Sequence, residues 1–292
     1  AATKADKAAR ARMLSQLTAT LNQLPNVFSV KILIDHTPQD ITMQNSQLPY
    51  PSGYTPLVLD AQGIRQIGQP AQKDKASSLA LKVDAKDFAL SADANYLALS
   101  SARGITLGRL NNLSSELTLI DGRSGQLSPV IDNRNHIWTL PTKASEALQV
   151  HDVTGKLIFS ASGWLSRGEH LAFGVSREGS RLAILLKTKT GTSAFVAVIK
   201  RDDQGNPVAI SNPRRVGLGL SNLKSLSWSG LNNLIGISAG AAGLDTPSSI
   251  VVGGGTSQLT TLTNLRTAIG NSDSSVSYVL DENGILFEYR GL

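Results

Sequence analysis

One pattern recurs along most of this chain: an apolar strand, a serine, an acidic residue two positions later, a turn, and a second apolar strand. The clearest pair is FALSADANYLALSS (Phe88 to Ser101) and FGVSREGSRLAILL (Phe173 to Leu186). Ser91, Asp93 and Ala98 align with Ser176, Glu178 and Ala183. Weaker copies run from Pro129 to Leu140, Leu226 to Ile237 and Ala268 to Leu280. Their second strands begin near Leu97, Ile137, Leu182, Leu234 and Val276, about 40 to 50 residues apart. That is the period of four-stranded propeller blades, which bury their faces only by stacking on one another.

Most repeats extend to four strands. GITLGRL and ELTLI follow the first copy, ALQVHDV and KLIFSA the second, AFVAVIKR and PVAIS the third, SIVVGG and QLTTL the fourth. The last copy, with TAIG, VSYVL and ILFEY, lacks an outer strand, and TPLVLDAQGIRQIG near Thr55 holds two spare ones. Donating these to the last repeat closes a ring, and a closed ring has no free sheet edge. The count is therefore five blades, or six if the spare strands make a sheet of their own.

The stretch before Thr55 has a different texture. Leu14, Leu17, Leu21 and Leu24 recur at helical spacing over residues 5–24. Thr3 and Asp6 resemble a capping box, and Pro25 ends the helix. Val27 to Ile34 alternates as a strand. One helix and one strand bury no core alone, so residues 1–44 read as the end of a small α+β domain. The proline-rich, aperiodic run over 37–54 reads as a linker, set at 45–54, with the propeller over 55–292.

Composition narrows the function classes. Hydrophobic residues are 41% and charged residues 17%, which describes a globular chain. The absence of cysteine excludes disulfides, thiolate metal sites and cysteine nucleophiles. Aromatics at 5% do not supply stacking platforms for single-stranded nucleic acid. The net charge of +6 is mild for 292 residues and predicts no nucleic-acid partner.

Several motifs carry chemistry elsewhere. Gly236-Ile-Ser-Ala-Gly240 matches the G-x-S-x-G elbow of serine hydrolases, but no helix pattern and no histidine follow Ser238. His36, His136, His151 and His170 are scattered, with His136 and His151 one loop apart in a single repeat. The Ser-x-acidic turns are expected to cap their own hairpins rather than bind metal. No catalytic residue, metal ligand or cofactor site is assigned. A propeller hydrolase acting on an envelope polymer remains an alternative, and it needs two carboxylates facing each other across the channel. Lys187, Lys189, Lys200, Arg201, Arg214 and Arg215 form a possible basic patch for an anionic polymer or lipid, or a solvated outer edge.

The order of these elements carries a resemblance. LSQLTATLNQLPNVFSVKILID, then ALSADANYLALSS, HIWTL, GVSREGSRLAILL and LKSLSWSGLNNLIGI are similar to the actinobacterial lipoprotein LpqB family, with a GerMN domain before a degenerate propeller. The resemblance runs from about Ala9 to Leu292 and is most specific at Val175–Ala183 and Leu223–Ile237. It implies a non-catalytic accessory lipoprotein on the outer face of the cytoplasmic membrane. A signal peptide, a lipid-modified cysteine and most of the GerMN region are expected to precede Ala1. The implied partner is the extracytoplasmic domain of a sensor histidine kinase of the MtrA–MtrB type. For that contact we single out Trp164, Arg167, Glu169 and Arg177 at one rim, because Trp and Arg are common interface anchors. A tryptophan sealing the gap between blades is the competing reading of Trp164.

Overall fold

The computed structural model of the protein describes residues 6–21, 29–34, 36–41, 57–60, 63–66, 78–79, 84–110, 117–271 and 275–290. The chain divides into two compact units, Ala1–Tyr50 and Pro51–Leu292.

In the first unit, α1 spans Lys7–Leu21. Asp6 caps it: Oδ1 accepts the backbone N–H of Ala9 at 2.6 Å, satisfying a donor that the first turn leaves open. The cap expected at Thr3 lies outside the described residues. Ala11 and Leu14 are buried but Leu17 is 44% exposed, so the inward face is narrower than the leucine spacing suggested. β1 (Leu33–Ile34) pairs with β2 (Thr37–Pro38) in a short hairpin. The strand is thus shorter than the alternating run, and Thr37–Pro38, expected in the linker stretch, is its partner. The 45–54 linker lies outside the described residues.

The second unit is the propeller. β3 (Leu57–Asp60), β4 (Gly63–Gln66) and β5 (Ser78–Leu79) form a three-stranded sheet. Five blades follow, all antiparallel. The first holds β6 (Ala85–Leu90), β7 (Tyr96–Ser101), β8 (Gly104–Arg109) and β9 (Thr118–Asp121). The second holds β10 (Val130–Ile131), β11 (Ile137–Thr139), β12 (Leu148–His151) and β13 (Leu157–Ala161). The third holds β14 (Glu169–Val175), β15 (Arg181–Thr188), β16 (Gly191–Arg201) and β17 (Pro207–Ile210), with β18 (Arg214–Val216) also on β16. The fourth holds β19 (Leu223–Ser229), β20 (Asn233–Ala239), β21 (Leu244–Val251) and β22 (Thr256–Gln258), with β23 (Leu262–Thr263) on β21. The last holds β24 (Leu265–Gly270), β25 (Val276–Asp281) and β26 (Leu286–Arg290).

The apolar runs are continuous because both faces of each central strand are covered. In β15, Leu182, Ile184 and Leu186 pack with Trp138, Leu140, Leu148 and Val150 of the preceding blade. The alternate residues Ala183 and Leu185 pack with Leu226, Trp228 and Leu234 of the following blade. A strand's period of two sends successive side chains to opposite neighbours. The N-terminal strands follow the same rule, with Ile64 packing on Leu97 and Leu99 of β7. Among the described residues these strands pair only with one another, not with β24–β26. The last blade therefore keeps three strands, and the spare strands form their own sheet instead of completing it.

Polar seams tie the blades together. The buried carboxylate of Asp132 accepts the N–H of Arg134 at 2.9 Å and of His136 at 3.0 Å, closing its own hairpin turn. It also accepts Trp138 Nε1–H at 2.9 Å and, from the next blade, Arg201 Nη2–H at 2.7 Å. Asp121 receives Arg123 Nη2–H at 2.7 Å and the Thr139 hydroxyl of the next blade at 2.6 Å. Gly270 lets two inner strands meet: a Cβ there would lie 1.7 Å from the Trp228 carbonyl oxygen.

Burial alone would raise the pKa of Asp121, but the bonds from Arg123 and Thr139 hold it at about 2. For Asp132 burial is likewise outweighed, by His136, Arg201 and Trp138, and its carboxyl lies well below the ordinary range. Both folded pKa values are depressed relative to an unfolded Asp near about 3.9. The stability they contribute is complete above that value and is lost as pH falls through the folded values. Buried His151, whose pKa is pushed down, brings a modest loss as pH falls below about 6.5, and thermal melts are expected to add a steep fall of Tm between about pH 4 and 2. Asp132→Asn is expected to melt lower at neutral pH and to lose less on acidification.

Candidate functional site

The first strand of each blade is its innermost one. Residues of β3, β6, β14, β19 and β24, with Leu127 and Ser128 ahead of β10 and Leu280 and Leu286 of the last blade, line a channel cavity of about 610 Å³, within the range of small-ligand pockets. Leu57, Leu59, Leu127, Leu171, Phe173 and Leu226 give it an apolar wall. Lys86, Asp87, Lys224 and Arg266 bring charge to it. Lys224 Nζ donates to the buried Asp245 Oδ2 at 2.8 Å, and the same oxygen accepts the N–H of Leu265 at 2.7 Å. Asp87 is the single carboxylate among the described lining residues; it accepts the N–H of Phe88 and the hydroxyl of Ser128. The facing carboxylate pair that a propeller glycosidase needs is therefore not formed by these residues.

The rim residues chosen from sequence divide between two ends of one blade. Trp164 and Arg167 lie in a single 3-10 turn, Gly163–Arg167, and Glu169 begins β14. Arg177 follows the other end of β14, about 25 Å away at ~3.3 Å per residue. The four do not share a rim. Trp164 is half-buried; it packs on the core around Trp138 and Leu186 and lies 6.3 Å from the Phe195 ring at 52°. It seals a blade boundary, while Arg167 and Glu169 are exposed. Below it, His170 is fully buried, with Nδ1 2.6 Å from Pro141 O and Nε2 3.0 Å from Leu165 O, which fixes the turn to the second blade.

The basic patch also divides. Lys187 and Lys189 are exposed near the β15–β16 turn, and Arg214 and Arg215 pair with Val196 and Phe195 on the neighbouring strand. Lys187 lies 3.7 Å from Glu169, a solvent-exposed pair. Lys200 and Arg201 sit at the far end of β16. Arg201 is not a patch residue at all. Its guanidinium binds Asp132, donates to Gly179 O and Gly205 O at 2.9 Å each, and lies 5.9 Å from the Trp138 ring centre.

The remaining motifs have structural roles. Ser238 sits within β20, paired with Leu223 and Thr246, not on a strand-to-helix elbow. His136 and His151 take different partners: His136 Nδ1 lies 3.2 Å from Arg201 Nη1, and His151 Nδ1 lies 3.3 Å from Gly155 O. Burial pushes the His151 pKa down. Ser91 and Asp93 cap their turn as expected, the serine hydroxyl accepting the N–H of Tyr96 at 2.9 Å and donating to Asp93 at 2.6 Å. Ser176 and Glu178 repeat this arrangement. Burial would raise the Asp93 pKa, but bonds from Ser91, Asn95 and Asn135 hold it at about 2. Among the described residues no three His, Asp or Glu side chains cluster as a metal site, and no helix is long and apolar enough to cross a membrane.

Residues 62–291 match the family described as the lipoprotein LpqB beta-propeller domain. The chain belongs to that family. No curated protein matches it in sequence. Among solved structures it is similar to U3-55K, at 9% identity and a TM-score of 0.52, covering 78% of this chain and 70% of that one. It is similar to TolB from Acinetobacter baumannii, at 11% identity and 0.54, covering 78% and 59%. Hydrazine synthase from Kuenenia stuttgartiensis follows at 13% identity and 0.49, covering 69% and 62%. The chain spans less than two thirds of the TolB and hydrazine synthase chains. The likeness to U3-55K and TolB is one of fold alone.

In this LpqB-type propeller the channel cations are the residues that motif reading missed. The signal was present in the repeats. Aligning Ser91 with Ser229 places Lys86 and Lys224 in one column, and Arg266 joins it when Asn271 takes the serine position. The contrast between Trp164 and Arg167 yields a test. Trp164→Ala is expected to cost about 2 kcal/mol in urea unfolding, since it opens a blade boundary. Arg167→Ala is expected to stay within about 0.5 kcal/mol of the wild type.

Proposed function

We propose that this chain is the propeller of an extracytoplasmic accessory lipoprotein that docks on the sensor domain of a histidine kinase of the MtrA–MtrB type and biases its signalling. The match of residues 62–291 to the LpqB propeller family carries this reading. In it, residues 1–44 are the end of a GerMN-like domain, and a lipid anchor upstream holds the protein to the outer face of the cytoplasmic membrane. A propeller suits docking because loops from several blades meet on one rigid disc. The face on which the inner strands begin presents Arg167 and Glu169, with Lys187 and Lys189 beside them. That mixture of both signs favours a protein partner over a uniformly anionic surface. Binding acts on the kinase only through a difference in affinity for its two signalling states.

The test is a titration of this protein against the purified extracytoplasmic domain of its cognate kinase at low and high salt. Saturable binding is expected at both. Arg167→Ala combined with Glu169→Ala is expected to weaken it at least about fivefold, as loss of an interface anchor does. Arg177→Ala, at the other end of the blade, is expected to leave it unchanged. No binding, or binding weakened only by Arg177→Ala, contradicts the docking face.

A further inference from the structure

The inner strands share an irregularity that the repeat pattern does not reveal. In β6 the pairing with β7 steps from Ala85 to Asp87, leaving Lys86 as an extra residue. The same step skips Leu171 in β14, Lys224 in β19 and Arg266 in β24. The second blade has it too: Gln126 bridges Pro141 and Val130 pairs with Trp138, so four steps on the inner side oppose three on the other. Leu127 and Ser128 fall within that interval. A bulge turns its extra side chain away from the regular pleat. Here Lys86, Leu127, Ser128, Leu171, Lys224 and Arg266 all line the channel cavity. Because the bulges occupy equivalent positions, these side chains form one level of the channel, at the end where the inner strands begin.

Three of the five blades place a cation at this level. Lys224 and Arg266 lie on adjacent blades, and the residues after them touch: Ser225 Oγ is 3.3 Å from Thr267 Oγ1 and accepts the N–H of Ala268 at 2.9 Å. Like charges brought together across a seam oppose each other. Asp245 answers Lys224. No hydrogen bond or ion pair joins Lys86 or Arg266 to any of the described residues, and both are exposed to the channel solvent. Asp87 is the one acid among the described lining residues, and its carboxylate already accepts from Phe88 and Ser128. The rest of the wall is mostly apolar, with seven leucines and two phenylalanines, and is interrupted by the hydroxyls of Ser225, Ser227 and Thr267.

We propose that this level of the channel is a binding site for a phosphate monoester carried on an apolar body. The guanidinium of Arg266 matches phosphate oxygens as a two-pronged donor. Lys224 adds an ammonium donor from the adjacent blade and Lys86 one from the first blade. A phosphate monoester carries close to two negative charges at neutral pH, matching the two cations without a partner among the described residues. The leucines on the silent bulges cover the apolar body. The site lies at the end of the inner strands that also carries Arg167 and Glu169, but it does not depend on a kinase partner.

The experiment is calorimetric titration of the protein with hexyl phosphate, with inorganic phosphate as the headgroup-only probe. Saturable binding of one hexyl phosphate per chain is expected, at least tenfold tighter than inorganic phosphate. Arg266→Gln and Lys86→Gln are each expected to weaken it about tenfold, while Lys189→Gln in the β15–β16 turn and Lys200→Gln in β16, neither of them a lining residue, leave it unchanged. Both channel side chains are exposed and have no partner among the described residues, so the substitutions are expected to leave the fold intact; a matching Tm verifies this. Lys224 is left in place because its loss strands the buried Asp245. Co-sedimentation with vesicles containing phosphatidic acid separates the two sources of the headgroup: capture that Arg266→Gln abolishes identifies a lipid, and hexyl phosphate binding without capture identifies a soluble ester. Absence of saturable hexyl phosphate binding at millimolar concentration, or equal weakening by the channel variants and by Lys189→Gln or Lys200→Gln, overturns the proposal.

Discussion

The carboxylate of Asp132 is where the local and the global structure of this propeller meet. One oxygen closes the turn of its own blade, and the other receives the indole of Trp138 and the guanidinium of Arg201 from the next blade. A buried carboxylate left alone would be strongly destabilising, so both partners must be in place together. Apolar packing between blades is non-directional and tolerates sliding. A charge-assisted bond between fixed points does not, and it sets the register of one blade on another. Arg181 does similar work at the following seam, donating to Asn232 at 3.0 Å and lying 5.0 Å from the Trp228 ring, while Trp228 Nε1 donates to Gly174 O at 3.0 Å.

The strands themselves were legible because their apolar runs are dictated by burial on both faces. Leu182 to Leu186 reads as an unbroken apolar run, and its alternate residues do belong to two different cores. The capping turns were legible because Ser91 with Asp93, and Ser176 with Glu178, act within a few residues of one another. What escaped were features set by distance in space. Arg201 resembled a surface cation until its turn was folded beside Asp132, and Arg177 resembled a neighbour of Arg167 until β14 was seen to separate them. The bulges escaped because a one-residue slip leaves the apolar pattern nearly intact while changing where Lys86, Lys224 and Arg266 point.

Rigidity and function are linked through those bulges. A ring of short antiparallel sheets, each braced by its neighbours, holds side chains on the inner strands at fixed separations. The end at which the inner strands begin carries both the bulged channel side chains and the exposed Arg167–Glu169 edge. A ligand in the channel and a partner on the edge would therefore meet a common surface, and each would alter the affinity of the other only if both change the same group of side chains.

The measurement that bears most directly on this account is a double-mutant cycle on Asp132 and Arg201, read by urea unfolding with Asp132→Ala, Arg201→Ala and the double variant. If the seam ion pair sets the packing of the two blades, the coupling energy is expected to exceed about 1 kcal/mol, with the double variant far less damaged than the sum of the single changes. Additive losses, with coupling near zero, would contradict the account and leave apolar contact alone to hold the blades in register.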